Sequence, residues 1–294
     1  MSADAEMTGI PEAQPAFVDL ERVISGKSPR LLRILPGFVL RYLKRIIHQD
    51  RINATLGRLQ GTQGLEFIDE VLKDFGVRIM VEGLANIPPT GRGLIVANHP
   101  LGGLDGLALM KVVGSVRKDI VFPVNDLLMH IPNLRGLFIP INKHGSNASN
   151  VKVFDDTFAS DKLVLYFPAG LCSRKQHGRI LDLEWKKGIV TRARRYERDV
   201  IPVHISGRNS NFFYNLANFR TAVGLRTNVE MLYLVDEMVK QKDQEVRITF
   251  GRPIPYDIFD RSRKDADWAG RLKAHTYRLE REPGALFDPN LPNP

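Results

Sequence analysis

The sequence predicts an α/β fold: a mainly parallel central sheet flanked by helices, preceded by an N-terminal amphipathic helical extension. Three observations carry this. Short, wholly apolar runs of strand length recur along the middle of the chain, as strands buried on both faces require. They alternate with segments whose apolar residues recur at helical spacing. Ahead of them, residues 22–49 contain no Asp or Glu, while Arg22, Lys27, Arg30, Arg33, Arg41, Lys44 and Arg45 gather among Leu, Ile, Phe and Tyr.

Each element follows from its residues. Residues 1–16 are rich in small and acidic residues and carry Pro11 and Pro15, which predicts a disordered leader. Leu31, Leu35, Phe38, Val39, Tyr42, Leu43 and Ile46 then form an apolar stripe at helical spacing, with the basic residues mostly on the other side. Pro36-Gly37 should kink or split this helix. The stripe fits a membrane interface and the protein's own core equally well, because periodicity does not identify the apolar partner. LEFIDEVLKDF (65–75) reads as a helix stopped by Gly76. VRIMVEGL (77–84) alternates like a half-buried strand, and Pro88-Pro89-Thr90-Gly91 turns the chain into GLIVAN (93–98), a buried strand. Strand and helix then repeat: 106–114 helical, 119–125 and 137–142 extended, 151–160 helical, 162–168 extended, 186–197 helical, 199–207 extended. A strand near 245–254 and an outer helix around 264–281 precede a Pro-rich end.

Composition narrows the function classes. The chain has 294 residues, and 42 Lys and Arg against 33 Asp and Glu leave a net charge of +9. Such a surface attracts anions: nucleic acid, an anionic membrane, an acidic carrier protein or a phosphorylated substrate. One cysteine, Cys172, excludes an internal disulfide, and no Cys/His cluster has metal spacing, so no metal is expected. Cys172 reads as an inert thiol with no base assigned to it. The N-terminus lacks a secretory signal, and no run approaches the roughly 18 apolar residues of a transmembrane helix, so membrane association is expected to be peripheral.

Three segments bear chemistry. In GLIVANHPLGGLDGLALM, a buried strand delivers Asn98 and His99 to its carboxyl end, where open α/β sheets bind ligands. Asp105 falls in the first turn of the next helix, within reach of one imidazole nitrogen, which leaves the other free to take a proton. Equally, Asp105 reads as a helix cap and His99 as a polar loop residue. GLFIPINK (136–143) carries Lys143 at the end of a strand, either as an anion ligand or in an ordinary polar turn. YFPAGLCSRKQHGR (166–179) places Ser173, Arg174, Lys175, His177 and Arg179 in a turn containing Gly170, the densest anion-binding candidate. Residues 206–220 add Arg208 and Asn209 beside Phe212, Phe213 and Tyr214, as pocket lining or as an aromatic anchor.

In this order, these segments resemble the glycerolipid acyltransferase family, the lysophosphatidate (PlsC-like) acyltransferases, over about residues 78–255. The matching residues are Asn98-His99 with Asp105; Gly136, Phe138, Ile139 and Lys143; Phe167-Pro168 with Gly170 and Ser173; Trp185-Lys186-Lys187-Gly188; and Val200-Ile201-Pro202-Val203. Four residues usually separate the family's His and Asp, whereas five, Pro100 to Leu104, do so here. The Gly102-Gly103 pair is available to absorb the extra one. Asn-His-Pro-x-Gly-Gly-x-Asp/Glu is similar to a bacterial subset that includes putative hemolysins and enzymes of amino-acid-containing lipids. In the third block, Ala169, Leu171 and Cys172 replace the family's Glu, Thr and Arg, which argues against a glycerol-phosphate acceptor. Arg174, Lys175 and Lys187 remain to hold a phosphate or carboxylate.

The resemblance implies acyl transfer from acyl carrier protein or coenzyme A to the hydroxyl of a lysophospholipid or lyso-aminolipid. His99 would be the base and Asp105 its orienter. Asn98, Lys143, Gly170, Ser173, Arg174, Lys175, Lys187 and Arg208 would bind substrate, with no bound cofactor or metal. The expected organisation is a leader (1–16), a membrane-facing helical region (17–76) using Arg30, Arg33, Phe38, Arg41, Lys44 and Arg45, an acyltransferase domain (77–256), and a C-terminal helix and tail (257–294). The protein would work in the cytoplasm, on the inner face of the cell membrane. Acylation of an amine is the enzymatic alternative. A nonenzymatic basic module for lipid or nucleic acid is the other, although no recognised nucleic-acid motif is present.

Overall fold

The computed structural model describes residues 17–125, 128–140, 148–225 and 227–290. The leader, Asp126, Asn142, Lys143 and His144 lie outside the described residues. Helices α1 (Leu20–Lys27), α2 (Pro29–Ile34), α3 (Gly37–Ile46), α4 (Gln49–Arg58) and α5 (Gly64–Asp74) come first. Pro36 splits the basic segment: its ring lacks an N–H to continue α2, and it stands at the N-cap of α3.

There follow β1 (Arg78–Glu82), β2 (Gly93–Ala97), α6 (Gly103–Val116), β3 (Ile120–Val124), β4 (Phe138–Pro140), α7 (Ala148–Ala159) and β5 (Leu163–Tyr166). A hairpin of β6 (Arg174–Gln176) and β7 (Arg179–Leu181) turns at His177 and Gly178, both with positive φ. The chain ends with α8 (Gly188–Arg195), β8 (Asp199–Ile205), α9 (Asn211–Ala222), α10 (Leu234–Lys240), β9 (Glu245–Phe250) and α11 (Asp265–Arg278).

Seven strands form one sheet in the order β1-β9-β8-β2-β5-β3-β4. Pairing is parallel throughout except between β8 and β9. The period-2 alternation of strands decides the two layers. Ile95 and Ala97 of β2 face α5 and α6, whereas Leu94 and Val96 face the layer of α7, α8 and α11. Because both faces are covered, β2 reads as continuous apolar sequence. Arg198 locks one end of this sheet: fully buried, it donates to the carbonyls of Gly93, Thr157, Phe158, Ser160 and Lys162.

The basic helices divide the stripe that the sequence shows as one. Ile46 is buried and Leu35, Val39 and Leu43 are half-buried, while Leu31, Ile34, Phe38 and Tyr42 point outward. Arg30, Arg33, Arg41 and Arg45 are exposed. Lys44 differs from its expected membrane role, since its ammonium lies 2.6 Å from Glu21.

Candidate active site

Strand β2 ends where Asn98 substitutes for a sheet residue. Its side chain accepts from the Ile205 N–H at 2.7 Å and donates to the Ile205 carbonyl at 2.9 Å. Both polar atoms of Asn98 are thereby used in joining β2 to β8, which leaves it a positioning role rather than the substrate contact expected of it. The next residue, His99, is held at both backbone groups. Its N–H donates to Asp182 (3.1 Å), and its carbonyl accepts from the Ser173 N–H (2.8 Å).

Asp105 stands at the start of α6 with its carboxylate fully buried. It accepts from His99 Nδ1 at 2.8 Å and from the N–H groups of Leu101 and Gly102 at 2.9 and 3.1 Å. A carboxylate accepts only, so the neutral ring carries its proton on Nδ1 and keeps a lone pair on Nε2. The two amides are committed to Asp105 and are not available to an oxyanion. Phe167 stacks on the imidazole at 4.2 Å, and Phe122 meets Phe167 edge-on, which fixes the ring plane. The His99 side chain is 17% exposed, so part of it faces solvent.

The longer His99–Asp105 spacing is absorbed at Gly102, whose φ of +81° and ψ of −122° suit glycine alone. A Cβ there would lie 3.0 Å from Leu234 and 3.4 Å from the Cys172 sulfur. Gly102→Ala is expected to cost about 1–3 kcal/mol of stability and to lower turnover by disturbing the amides on Asp105. Urea midpoints and kcat check this; an unchanged midpoint and rate would mean that the turn tolerates a side chain.

Burial disfavours an imidazolium at His99, but the charge and hydrogen bonding of Cys172 and Asp105 more than offset it, and the pKa stands well above the ordinary 6.5. Burial likewise raises Asp105, and His99 with the two amides pulls it back only in part. Cys172 therefore has a base beside it, contrary to expectation. It is fully buried against Phe213 and Tyr214 of α9.

The substrate-binding residues expected from the third block take different roles. Ser173 is buried, and its hydroxyl donates to Asp182 at 2.7 Å. Arg174 is buried as well: it donates to Glu230 at 2.8 Å, in a network completed by Arg220 at 2.9 Å. Its guanidinium is buried and paired within the fold, so Arg174 is not the free anion ligand expected of it. Gly170 turns the loop with φ +68°, while Lys175 and Lys187 are exposed. A cavity of about 760 Å³ adjoins this strand end, lined by Asn98, Ser173, Arg179, Arg208, Tyr277 and Arg281 among others. Arg208 and Arg179, the latter from the anion-binding candidate of 166–179, both line it, together with Arg281, which the sequence did not single out.

Asp182 escapes sequence reading altogether. It is fully buried and gathers the His99 N–H, the Ser173 hydroxyl and Trp185 Nε1, the last at 2.8 Å. A signal existed in the nearby Trp185, but the 83 residues separating Asp182 from His99 hide the contact. Among the described residues no group of three or more His, Cys, Asp or Glu is placed to hold a metal. No helix of the described residues is long and apolar enough to cross a membrane.

The profile of the Acyltransferase family matches residues 22–279. The chain belongs to this family. As an acyltransferase it requires an acyl donor, and the His99–Asp105 pair lies within the matched region. The enzyme is 43% identical over 265 residues to each of two proteins named lyso-glycine lipid O-acyltransferase. They come from Bacteroides thetaiotaomicron and Phocaeicola vulgatus; each match covers 90% of this chain, and 97% and 95% of those relatives respectively. Among solved structures, the 1-acyl-sn-glycerophosphate acyltransferase PlsC from Thermotoga maritima aligns with TM-score 0.45 and 16% identity, over 82% of this chain and 95% of that one.

Proposed function

We propose that this acyltransferase esterifies the hydroxyl of a lyso-glycine lipid. The observation that carries the acceptor is the likeness, along nearly the whole chain, to the two lyso-glycine lipid O-acyltransferases. In this reading His99 Nε2 removes the acceptor hydroxyl proton while that oxygen attacks the thioester carbonyl. Asp105 holds the ring and balances the imidazolium, which then returns the proton to the leaving thiolate. The bonds balance without a covalent enzyme intermediate. Glycine presents a carboxylate rather than a phosphate, and Arg179, Arg208 and Arg281 beside the cavity supply cations for it, since Arg174 is buried and paired with Glu230.

The donor is acyl carrier protein or coenzyme A, both of which are anionic and attracted by a net charge of +9. The enzyme docks on the cytoplasmic face of the cell membrane through α2 and α3, so that the acyl tails of its substrates stay out of water. The test offers purified enzyme each donor with lyso-glycine lipid, lysophosphatidate or free glycine, read by mass spectrometry. An alkali-labile diacyl glycine lipid is the expected product. Acylation of lysophosphatidate alone, or of free glycine to an amide, would overturn the acceptor.

A further inference from the structure

We infer that the outer face of α9 and the turn after it form a second lipid-docking surface, continuous with α2 and α3, whose occupant is an anionic bilayer leaflet. This rests on the peripheral-membrane part of the function proposed above. Helix α9 is apolar on two sides. Phe213, Tyr214 and Ala217 face inward and are buried. Phe212, Phe219 and Val223 recur at i, i+7 and i+11, a second stripe on the opposite side, and Phe219 and Val223 are 66% and 58% exposed. Leu225 and Leu232 extend the uncovered surface. Large apolar side chains exposed in a row along one helix face mark an interaction surface rather than scattered exposure.

Its continuity with the N-terminal helices is direct. The Tyr42 hydroxyl of α3 lies 2.6 Å from that of Tyr233, and Tyr233 meets Phe212 edge-on at 4.9 Å between centroids. Phe38, 67% exposed, is one helical turn before Tyr42. Charge selects the occupant. Residues 28–49 and 211–229 contain no Asp or Glu, and Arg30, Arg33, Arg41 and Arg45 stand exposed without an acidic partner among the described residues. A second copy of the chain would bring the same arginines face to face across a two-fold axis, which is unfavourable. An anionic leaflet complements them and takes the aromatic and aliphatic side chains between its headgroups.

The inner face of α9 packs on Cys172, which touches His99, so the helix and the Cys172 side chain together separate a leaflet on the outer face from the base.

The experiment floats the full-length protein with vesicles of equal parts phosphatidylcholine and phosphatidylglycerol, and with phosphatidylcholine alone, for the wild type, Phe38→Asp and Phe219→Asp/Val223→Asp. The double variant is expected to lose about tenfold or more in partitioning to the anionic vesicles, and wild-type binding should fall without phosphatidylglycerol. A separate Phe219→Trp variant should be quenched by brominated phosphatidylcholine in mixed anionic vesicles beyond the wild type, whose Trp185 and Trp268 are buried. If the double variant binds as the wild type while Phe38→Asp does not, or if the wild type is a dimer that the double variant dissolves, the inference is wrong. If all three bind alike, docking through either face fails. Acyl transfer to acceptor in detergent micelles should be equal in wild type and double variant. Protein that binds vesicles but transfers nothing would remove the proposed reaction and leave the surface standing.

Discussion

His99→Ala is expected to lower kcat/KM for acyl transfer by about 10²–10⁴-fold, the usual contribution of a positioned general base, with the fold intact. The ring is held by Asp105 at 2.8 Å and stacked on Phe167, so its removal takes away the base while the buried carboxylate keeps its two amide donors. The pH profile tests the same residue independently. A base must be unprotonated to act, and the His99 pKa is raised by Cys172 and Asp105 in spite of burial. The acid limb of kcat/KM should therefore lie above 6.5, with activity growing as pH rises through it. Asp105→Asn removes a negative charge, so the limb should move to lower pH. The plateau should drop as well, because an amide N–H facing Nδ1 favours the wrong tautomer. A wild-type limb at or below 6.5, or full turnover in His99→Ala, would remove His99 from the reaction.

The second large effect falls on a residue that need not touch substrate. Asp182→Ala strips acceptors from the His99 N–H, the Ser173 hydroxyl and Trp185 Nε1 inside the protein. Buried donors left without partners cost about 1–3 kcal/mol each, so a loss of about 3 kcal/mol or more is expected in urea unfolding. With one anchor of the His99 backbone gone, kcat should fall by about 10²-fold, since a shift of about 1 Å suffices for that. Asp182 meets the His99 backbone N–H and not its ring, so the fall in kcat should exceed any shift of the acid limb. Asp182→Asn, which keeps an acceptor oxygen, should recover part of the rate. A limb shift as large as the fall in kcat would make Asp182 an electrostatic partner of the base, and an unchanged kcat would deny it any positioning role.

The two predictions draw on different kinds of information. His99 and Asp105 are six positions apart, and a strand end followed by a helix start brings them together by local geometry. The pair could accordingly be read from the sequence, even with its longer spacing. Buried strands such as β2 are equally legible, because a strand covered on both faces has to be apolar at every position. The hairpin of β6 and β7 is not. Ser173 to Arg179 carries the composition of a solvated anion-binding loop, and only Glu230, far along the chain, turns Arg174 into a buried structural charge. Residues 206–220 show both sides of this limit. An aromatic anchor is legible there, and Phe213 and Tyr214 are that anchor. The outward placement of Phe212 and Phe219 depends on how α9 is rotated against Cys172.

By itself, then, the sequence determined the alternation of strand and helix, the apolar core strands, the His99–Asp105 pair and the basic amphipathic start. Each of these is written in side-chain periodicity or in neighbours a few residues apart. The tertiary structure alone decided that Asp182 holds His99, that Arg174 is buried against Glu230, that Cys172 touches the base, and which apolar side chains remain uncovered. Those are contacts between segments distant along the chain, and a one-dimensional pattern records what each segment wants to bury but not what it is buried against.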